Sequence, residues 1–282
     1  MILGDLTLKN PIFARFMNRR ILSVVLLVAV LSASCSKFNK VLKSTDYDYK
    51  LKMAQEYYDK KKYKQAQTLY EELFPIYKGT PQFEDLYYRY ADCAFKQRDY
   101  VSAENLYNGF LDMFPNSTKA EEVEFMEAFS YYKQSPKPEL DQTNTIKAMG
   151  MMQTFINSHP GSERNKQAQE IVDQCYKKLE IKELKAAELY FNMGQYRAAA
   201  IAFTSLINNY PDSEKSDEYK LQVIKSYYKY ASLSIQEKRE ERYVKVIAEV
   251  QDFQDRYPES KLLKEAERYL TLSSNNIKSI PK

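Results

Sequence analysis

Between residues 47 and 270 apolar side chains recur three and four positions apart, the spacing of helices that bury one stripe. One set of stripes opens on a small or β-branched residue: Ala103, Tyr107, Phe110; Ala148, Met152, Phe155; Ala199, Phe203, Leu206; Val246, Val250, Phe253. Ala66, Tyr70 and Leu73 keep the same order near the start. A second set pairs a residue with another three places on: Ala54 with Tyr57, Ala91 with Ala94, Ala128 with Tyr131, Ala187 with Tyr190, and Ile224 with Tyr227. Small side chains let two helices approach closely, and the aromatic rings fill the space beside the crossing.

Polar punctuation separates these stripes. Phe114-Pro115-Asn116-Ser117, His159-Pro160-Gly161-Ser162, Tyr210-Pro211-Asp212-Ser213 and Tyr257-Pro258-Glu259-Ser260 are one phrase repeated at intervals of 45, 51 and 47 residues. Proline disfavours helix at the residue before it, so it stops one helix. The serine hydroxyl then serves the free N–H groups of the next helix. His159, the only histidine, stands where the other copies carry Phe or Tyr, and reads as filler.

A helix pair repeated at about 34 residues, with small residues at the crossings, is the tetratricopeptide pattern. The spacing predicts an all-α fold, a right-handed solenoid of about five tetratricopeptide (TPR) helix pairs with a C-terminal capping helix from Ser260 to about Leu272. Repeats one, two and four fall near 47–80, 84–117 and 180–213, with Gly194 at the turn of the fourth. Repeats three and five carry insertions between their helices, at Ser135–Asn144 and near Ser232–Arg242.

First helices of such repeats line an inner groove. Their fifth positions would be Leu51, Tyr88, Phe125, Leu184 and Leu221, and their twelfth Tyr58, Phe95, Tyr132, Phe191 and Tyr228. Two apolar rows would run along the groove, rimmed by Asp85, Asp92, Lys96, Glu122 and Lys133. Packing between repeats is one reading of these rings; anchoring an extended aromatic-rich peptide is the other. Tyr58, Tyr88, Phe95, Phe125 and Tyr132 are the expected peptide-binding groove, and Phe191 and Tyr228 the expected partner-binding positions.

Composition narrows the function. Gly numbers 6 of 282, and neither GxGxxG nor GxxxxGK[ST] occurs, which argues against nucleotide-binding loops. One His and three Cys form no zinc-ligand cluster, and no nucleophile–base pair converges, so no metal, cofactor or enzymatic activity is expected. The formal charge of +4 drops to +1 beyond residue 35 (38 basic, 37 acidic), which argues against nucleic acid as a partner. Lys60-Lys61-Lys62 reads as a solvated turn.

The N-terminus reads as an export signal. Arg19 and Arg20 precede the uncharged run ILSVVLLVAVLSA at 21–33, too short to span a bilayer. The start is Met1 or Met17. Leu31-Ser32-Ala33-Ser34-Cys35 resembles a bacterial lipobox with Ser32 in the usual leucine place, making Cys35 the expected lipidation site and 1–35 the signal peptide. Residues 36–46 read as a short polar tether. Ser36 after the cysteine favours the outer membrane by resemblance to lipoprotein sorting rules. Cys93 and Cys175 sit in apolar helical patterns and are expected as buried free thiols.

Several phrases resemble the BamD family, tetratricopeptide lipoproteins of the outer-membrane β-barrel assembly machine. Residues 178–187 (KLEIKELKAA), leading into Tyr190 and Gly194-Gln195-Tyr196-Arg197-Ala198-Ala199, are similar to its long helix and fourth-repeat turn. Phe125-Met126, Ser130-Tyr131-Tyr132 and Asp141-Gln142-Thr143 are similar to its third repeat and inner loop. The resemblance implies a non-enzymatic scaffold, lipid-anchored in the outer membrane and facing the periplasm. It implies that repeats in 47–162 receive unfolded outer-membrane proteins, and that 163–282, with repeats four and five and the cap, bind a BamA-like barrel subunit. The alternative is a periplasmic TPR scaffold for cell division or envelope coordination.

Overall fold

A computed structural model describes residues 37–281. The signal peptide and Cys35 lie outside the described residues. A helical segment at 37–42 precedes eleven helices, and among the described residues there is no strand. The chain divides into two compact units, one ending at Ser130 and the other starting at Tyr131. The expected division of roles at 162/163 concerns partners and is a separate matter.

The first unit holds α1 (Tyr47–Asp59), α2 (Tyr63–Tyr77), α3 (Gln82–Lys96), α4 (Tyr100–Met113) and most of α5 (Ala120–Gln134). Successive helices pack from α1 through α4. Asp46 and Asp99 start α1 and α4 by accepting the N–H of Tyr49 at 2.9 Å and of Ser102 at 3.1 Å. The small residues stand at the crossings: Ala54, Ala66, Ala91, Ala94 and Ala103 have no exposed surface. Tyr70, Leu73, Tyr107 and Phe110 are equally buried.

The second unit continues with α6 (Thr143–Ser158), α7 (Asn165–Asn192), α8 (Tyr196–Asn209), α9 (Ser216–Ser232), α10 (Gln236–Arg256) and α11 (Leu263–Lys278). Each packs on the next, and α9 also touches α11, as first helices of adjacent repeats do. The stripes Ala148/Met152/Phe155, Ala199/Phe203/Leu206 and Val246/Val250/Phe253 are at most 2% exposed. Among the described residues, successive packed helices make each unit an all-helical array of tetratricopeptide type.

Four details differ from the sequence reading. Residues 36–46 are not a free tether: 37–42 are helical, Val41 is 1% exposed, and Phe38 meets Tyr57 edge to face at 5.6 Å. Apolar side chains at 38, 41 and 42 dock where polar neighbours suggested a linker. The expected insertion at 232–242 is mostly the first turns of α10, and only residues 233–235 leave the helix. The cap runs to Lys278, past the expected Leu272. Tyr190, paired with Ala187 in the pattern, is 45% exposed while Ala187 is fully buried.

Candidate functional site

The repeated serine does more than cap. Ser117 Oγ accepts the N–H of Lys119 at 3.0 Å and donates to Glu84 Oε1 of α3 at 2.7 Å. Ser260 accepts from Leu262 at 3.0 Å and donates to Asp217 Oδ2 of α9 at 2.6 Å. Ser213 accepts from Lys215 at 3.2 Å and donates to Glu180. Each hydroxyl thus ties the end of a repeat to that repeat's first helix. The offset from carboxylate to serine is 33 residues in repeats two and four and 43 in repeat five, whose second helix is longer.

In the first unit the candidate groove residues gather around Asp92, which is 4% exposed. Tyr58 donates its hydroxyl to Asp92 Oδ2 at 2.5 Å, and Tyr107 to Oδ1 at 3.4 Å. Lys96 Nζ stands 3.8 Å from the same carboxylate. Burial, and then the hydrogen bond to Asp92 with its negative charge, push the Tyr58 phenol above its ordinary range. Tyr107 moves the same way through burial first and the charge of Asp92 second. The phenol of Tyr88 is near enough to both to contribute. The Arg89 guanidinium lies 5.1 Å from the Tyr58 ring and pairs with Asp85 at 2.7 Å, and Lys119 lies 6.0 Å from the Tyr88 ring. The result is a half-buried aromatic floor with both signs of charge at its edge.

Phe95 packs edge to face on Tyr100 at 5.3 Å and stacks on Phe129 at 5.7 Å. The same step recurs elsewhere: Tyr58 meets Tyr63 at 5.7 Å, and Phe191 meets Tyr196 at 5.2 Å. The twelfth-position ring therefore seals the turn into the second helix. The rings of Tyr58, Phe95 and Phe191 stay only half-buried while they do so. Phe125 is a correction: it is 1% exposed, so it supports the wall and presents no surface to a peptide. Leu221, another expected lining residue, is 3% exposed.

In the second unit Tyr132 is half-buried and hydrogen-bonds Gln174. Tyr228 sits between Tyr243 at 5.8 Å and Tyr269 at 5.2 Å, and Asn276 Nδ2 donates to its hydroxyl at 3.5 Å. It packs the cap more than it faces a partner. Sequence reasoning passed over the exposed neighbours of Phe191 in the chain, Leu189 at 59% and Met193 at 62%; Ile201, 53% exposed, lies on α8. Leu189 and Met193 lie four residues apart, out of phase with buried Ala187, and that phase was the available signal.

Cys93 and Cys175 are free and buried, as the pattern implied. Burial pushes their thiols up to about 12 and about 11. His159 rests on Phe155 at 4.9 Å, consistent with filler. Among the described residues no group of His, Cys, Asp and Glu could hold a metal ion, and no helix is long and apolar enough to cross a membrane.

Helix pairs with small residues at the crossings and a half-buried row of rings define a protein of the tetratricopeptide class. Residues 46–243 match the model of the YfiO family, described as outer membrane lipoprotein, and the chain belongs to that family. It is 26% identical over 172 residues to the outer membrane protein assembly factor BamD of Rickettsia prowazekii, covering 60% of this chain and 67% of that one. A relative in Aquifex aeolicus, which also carries the BamD name, is 30% identical over 141 residues, 49% of this chain and 46% of its own length. The BamD of Caulobacter vibrioides is 22% identical over 118 residues, 42% of this chain and 39% of that one. The chain thus spans between about two fifths and two thirds of these relatives' lengths. Among solved structures, the TPR2AB domain of yeast Sti1 in its pHSP90 complex aligns at a TM-score of 0.36 and 11% identity, over 81% of this chain and 98% of that one.

Proposed function

We propose that this chain is a non-enzymatic outer-membrane protein assembly factor of BamD type. It is lipid-anchored through Cys35 in the outer membrane and faces the periplasm. Family membership across residues 46–243 carries the reading, and three relatives named as BamD support it. Repeats within 47–162 receive unfolded β-barrel proteins. An extended amphipathic segment lays its apolar side chains on Tyr58, Tyr88 and Phe95, while Arg89, Lys96 and Lys119 meet its polar groups. Tyr132 offers a further half-buried ring in the third repeat. Affinity per contact is modest, because ordering an unfolded client costs entropy. Residues 163–282 bind a BamA-like barrel subunit. There the exposed Leu189, Met193 and Ile201 join Phe191 as the contact surface, and Tyr228 holds the cap in place.

Affinity isolation of the intact protein from detergent-solubilised envelopes, with mass spectrometry of what accompanies it, tests the assembly reading. A BamA-like barrel protein in stoichiometric amount is expected; division or peptidoglycan proteins without it would overturn the reading. Tyr88→Ala should weaken photo-crosslinking to unfolded barrel proteins several-fold with helicity unchanged. Undiminished crosslinking would place the client elsewhere.

A further inference from the structure

The helical segment 37–42 lies antiparallel against α1. Its start is set by Phe38 on Tyr57, near the end of α1, with the rings 5.6 Å apart. Its end is set by Lys50 in the first turn of α1, whose Nζ donates to the Leu42 carbonyl at 2.9 Å. Lys50 is 5% exposed and also pairs with Glu72 of α2 at 2.7 Å, so one buried cation joins the segment to both helices. The incoming chain is therefore delivered beside the turn after α1. In that turn Lys60, Lys61 and Lys62 are exposed, and so are Lys37, Lys40 and Lys43 on the docked segment.

Lys37 and Lys52 stand near the ion pair that Lys60 makes with Glu56 at 3.0 Å, at the end of α1. The Glu56 carboxyl is held below the usual carboxylate range by its hydrogen bond to Lys60 first, and also by the charges of Lys37 and Lys52. Residues 37–64 carry nine Lys against four acidic residues, a net of +5, whereas residues 65–282 carry 29 basic and 33 acidic residues, a net of −4. Lys61 holds its charge in the left-handed region, with φ of 57°. Exposed Tyr47 and Tyr49 stand at the start of α1, a residue type that favours the membrane–water interface.

Distance decides what such a patch can reach. Phe38 stands three positions after Cys35, at most about 11 Å of chain. A free tether over 36–46 would reach roughly 36 Å. Attraction to anionic headgroups fades within a Debye length, about 8 Å at physiological ionic strength. Docking of the segment therefore holds Lys60, Lys61 and Lys62 of the first repeat near the anchored end of the chain, whereas a free tether would let them stand several Debye lengths away.

We propose that the 37–42 segment and the first repeat form a basic face that seats on the anionic phospholipid headgroups of the leaflet holding the lipid anchor. This rests on the Cys35 reading above. The face is a second membrane signal beside the acyl chains, and it orients the first repeat at the bilayer surface.

The test uses the lipidated protein purified from envelopes and placed in nanodiscs, either of phosphatidylcholine alone or with phosphatidylglycerol added. Co-migration with the discs reports the anchor, and hydrogen exchange over residues 37–64 reports the seat. Co-migration with both kinds of disc is expected. Exchange should slow several-fold in the anionic discs only, with reversal by high salt and loss in the variant K60Q/K61Q/K62Q, whose folding circular dichroism verifies. Equal exchange in both discs, with co-migration intact, overturns the seat and leaves the anchor standing. Salt-sensitive binding to anionic discs alone supports the seat and overturns the anchor. Co-migration with neither overturns both.

Discussion

Three turns close the first helices of repeats one, two and four in the same way. The N–H of Lys61, Arg98 and Gly194 reaches back to Tyr58, Phe95 and Phe191 at 2.8–3.0 Å, and the next N–H reaches Tyr57, Ala94 and Tyr190 at 2.8–3.0 Å. This is the Schellman pattern, and it needs one residue at positive φ. The values are 57° for Lys61, 65° for Arg98 and 73° for Gly194. Glycine adopts that conformation freely, whereas a side chain there costs about 1–2 kcal/mol, partly offset by the greater entropy glycine loses on folding. Lys61→Gly and Arg98→Gly should therefore each stabilise the protein by about 0.5–1 kcal/mol in urea unfolding, and Gly194→Ala should destabilise it by about 1 kcal/mol. A cation at a helix C-terminus recovers part of the strain through the dipole, so the gain shrinks at low salt. The punctuating serines carry a larger share. Ser117→Ala removes a cap and the donor to Glu84 together, and should cost about 1–2 kcal/mol in the same experiment.

Between elements, close approach is the controlling quantity, and α3 against α4 shows how the sign of a substitution is decided. A Cβ built on Gly109 of α4 would stand 2.5 Å from the Tyr87 hydroxyl and 3.7 Å from that ring's Cζ. Tyr87 is held by a stacked Phe74 at 5.3 Å and by Phe83 and Phe110 at 6.0 and 6.1 Å, so the ring cannot step aside cheaply. Gly109→Ala gains about 1 kcal/mol of helix propensity and should still destabilise the protein, because the hydroxyl must move. With Tyr87→Phe already in place the obstacle is gone, and the same change should stabilise by about 0.5–1 kcal/mol. A double-mutant cycle in chemical denaturation checks the reversal; additive effects would refute it. Much at this scale was legible beforehand: the buried stripes, the small residues at crossings and the Pro-x-Ser stops follow from residue size and backbone chemistry that act locally. What escaped depended on neighbours distant in sequence. Phe125 has the residue type of a groove ring, but its position in the packing buries it. The segment at 37–42 looks like a linker until Val41, Phe38 and the buried Lys50 are placed together. The candidate site was legible as a row of rings, while its anchor, Asp92 bridging Tyr58 and Tyr107, was not, because it joins α1, α3 and α4.

For the molecule as a whole, the titrating groups set a pH window, and its two edges have different origins. Glu249 of α10 is partly buried, which raises its pKa, but hydrogen bonds from Lys220 and Lys245 outweigh that and hold it below its ordinary value. Glu180 of α7 behaves alike: burial opposes ionisation, and the donors Ser213, Tyr219 and Lys177 prevail. A depressed carboxylate contributes stability above its unfolded pKa, near 4.3, that is lost as pH falls through the folded value. Both residues belong to the unit 131–282. In the unit ending at Ser130, Glu56 is also held low, but it lies at the surface and adds little. Acid should therefore loosen residues 131–282 first. At the alkaline edge, burial raises the phenols of Tyr58, Tyr70 and Tyr107 in the first unit and of Tyr210 and Tyr219 in the second. A raised phenol contributes stability present below about pH 10 and lost as pH climbs through the folded value, so that edge should strike both units. Hydrogen exchange with peptide resolution, run at pH 7 and again near pH 3.5, should show protection falling in α7, α9 and α10 while α2–α4 keep theirs. If α2–α4 open first, the Lys220–Glu249 and Tyr219–Glu180 ties are not what limits stability in acid. Where these ties do limit stability, Glu249→Gln should blunt the acid loss, since an amide keeps the shape and accepts a bond from Lys220 but does not titrate. Its stability at pH 7 should drop part of the way toward the wild-type value in acid, because one of the two carboxylates that offset buried Lys220, Glu249 beside Asp252, is then absent at every pH.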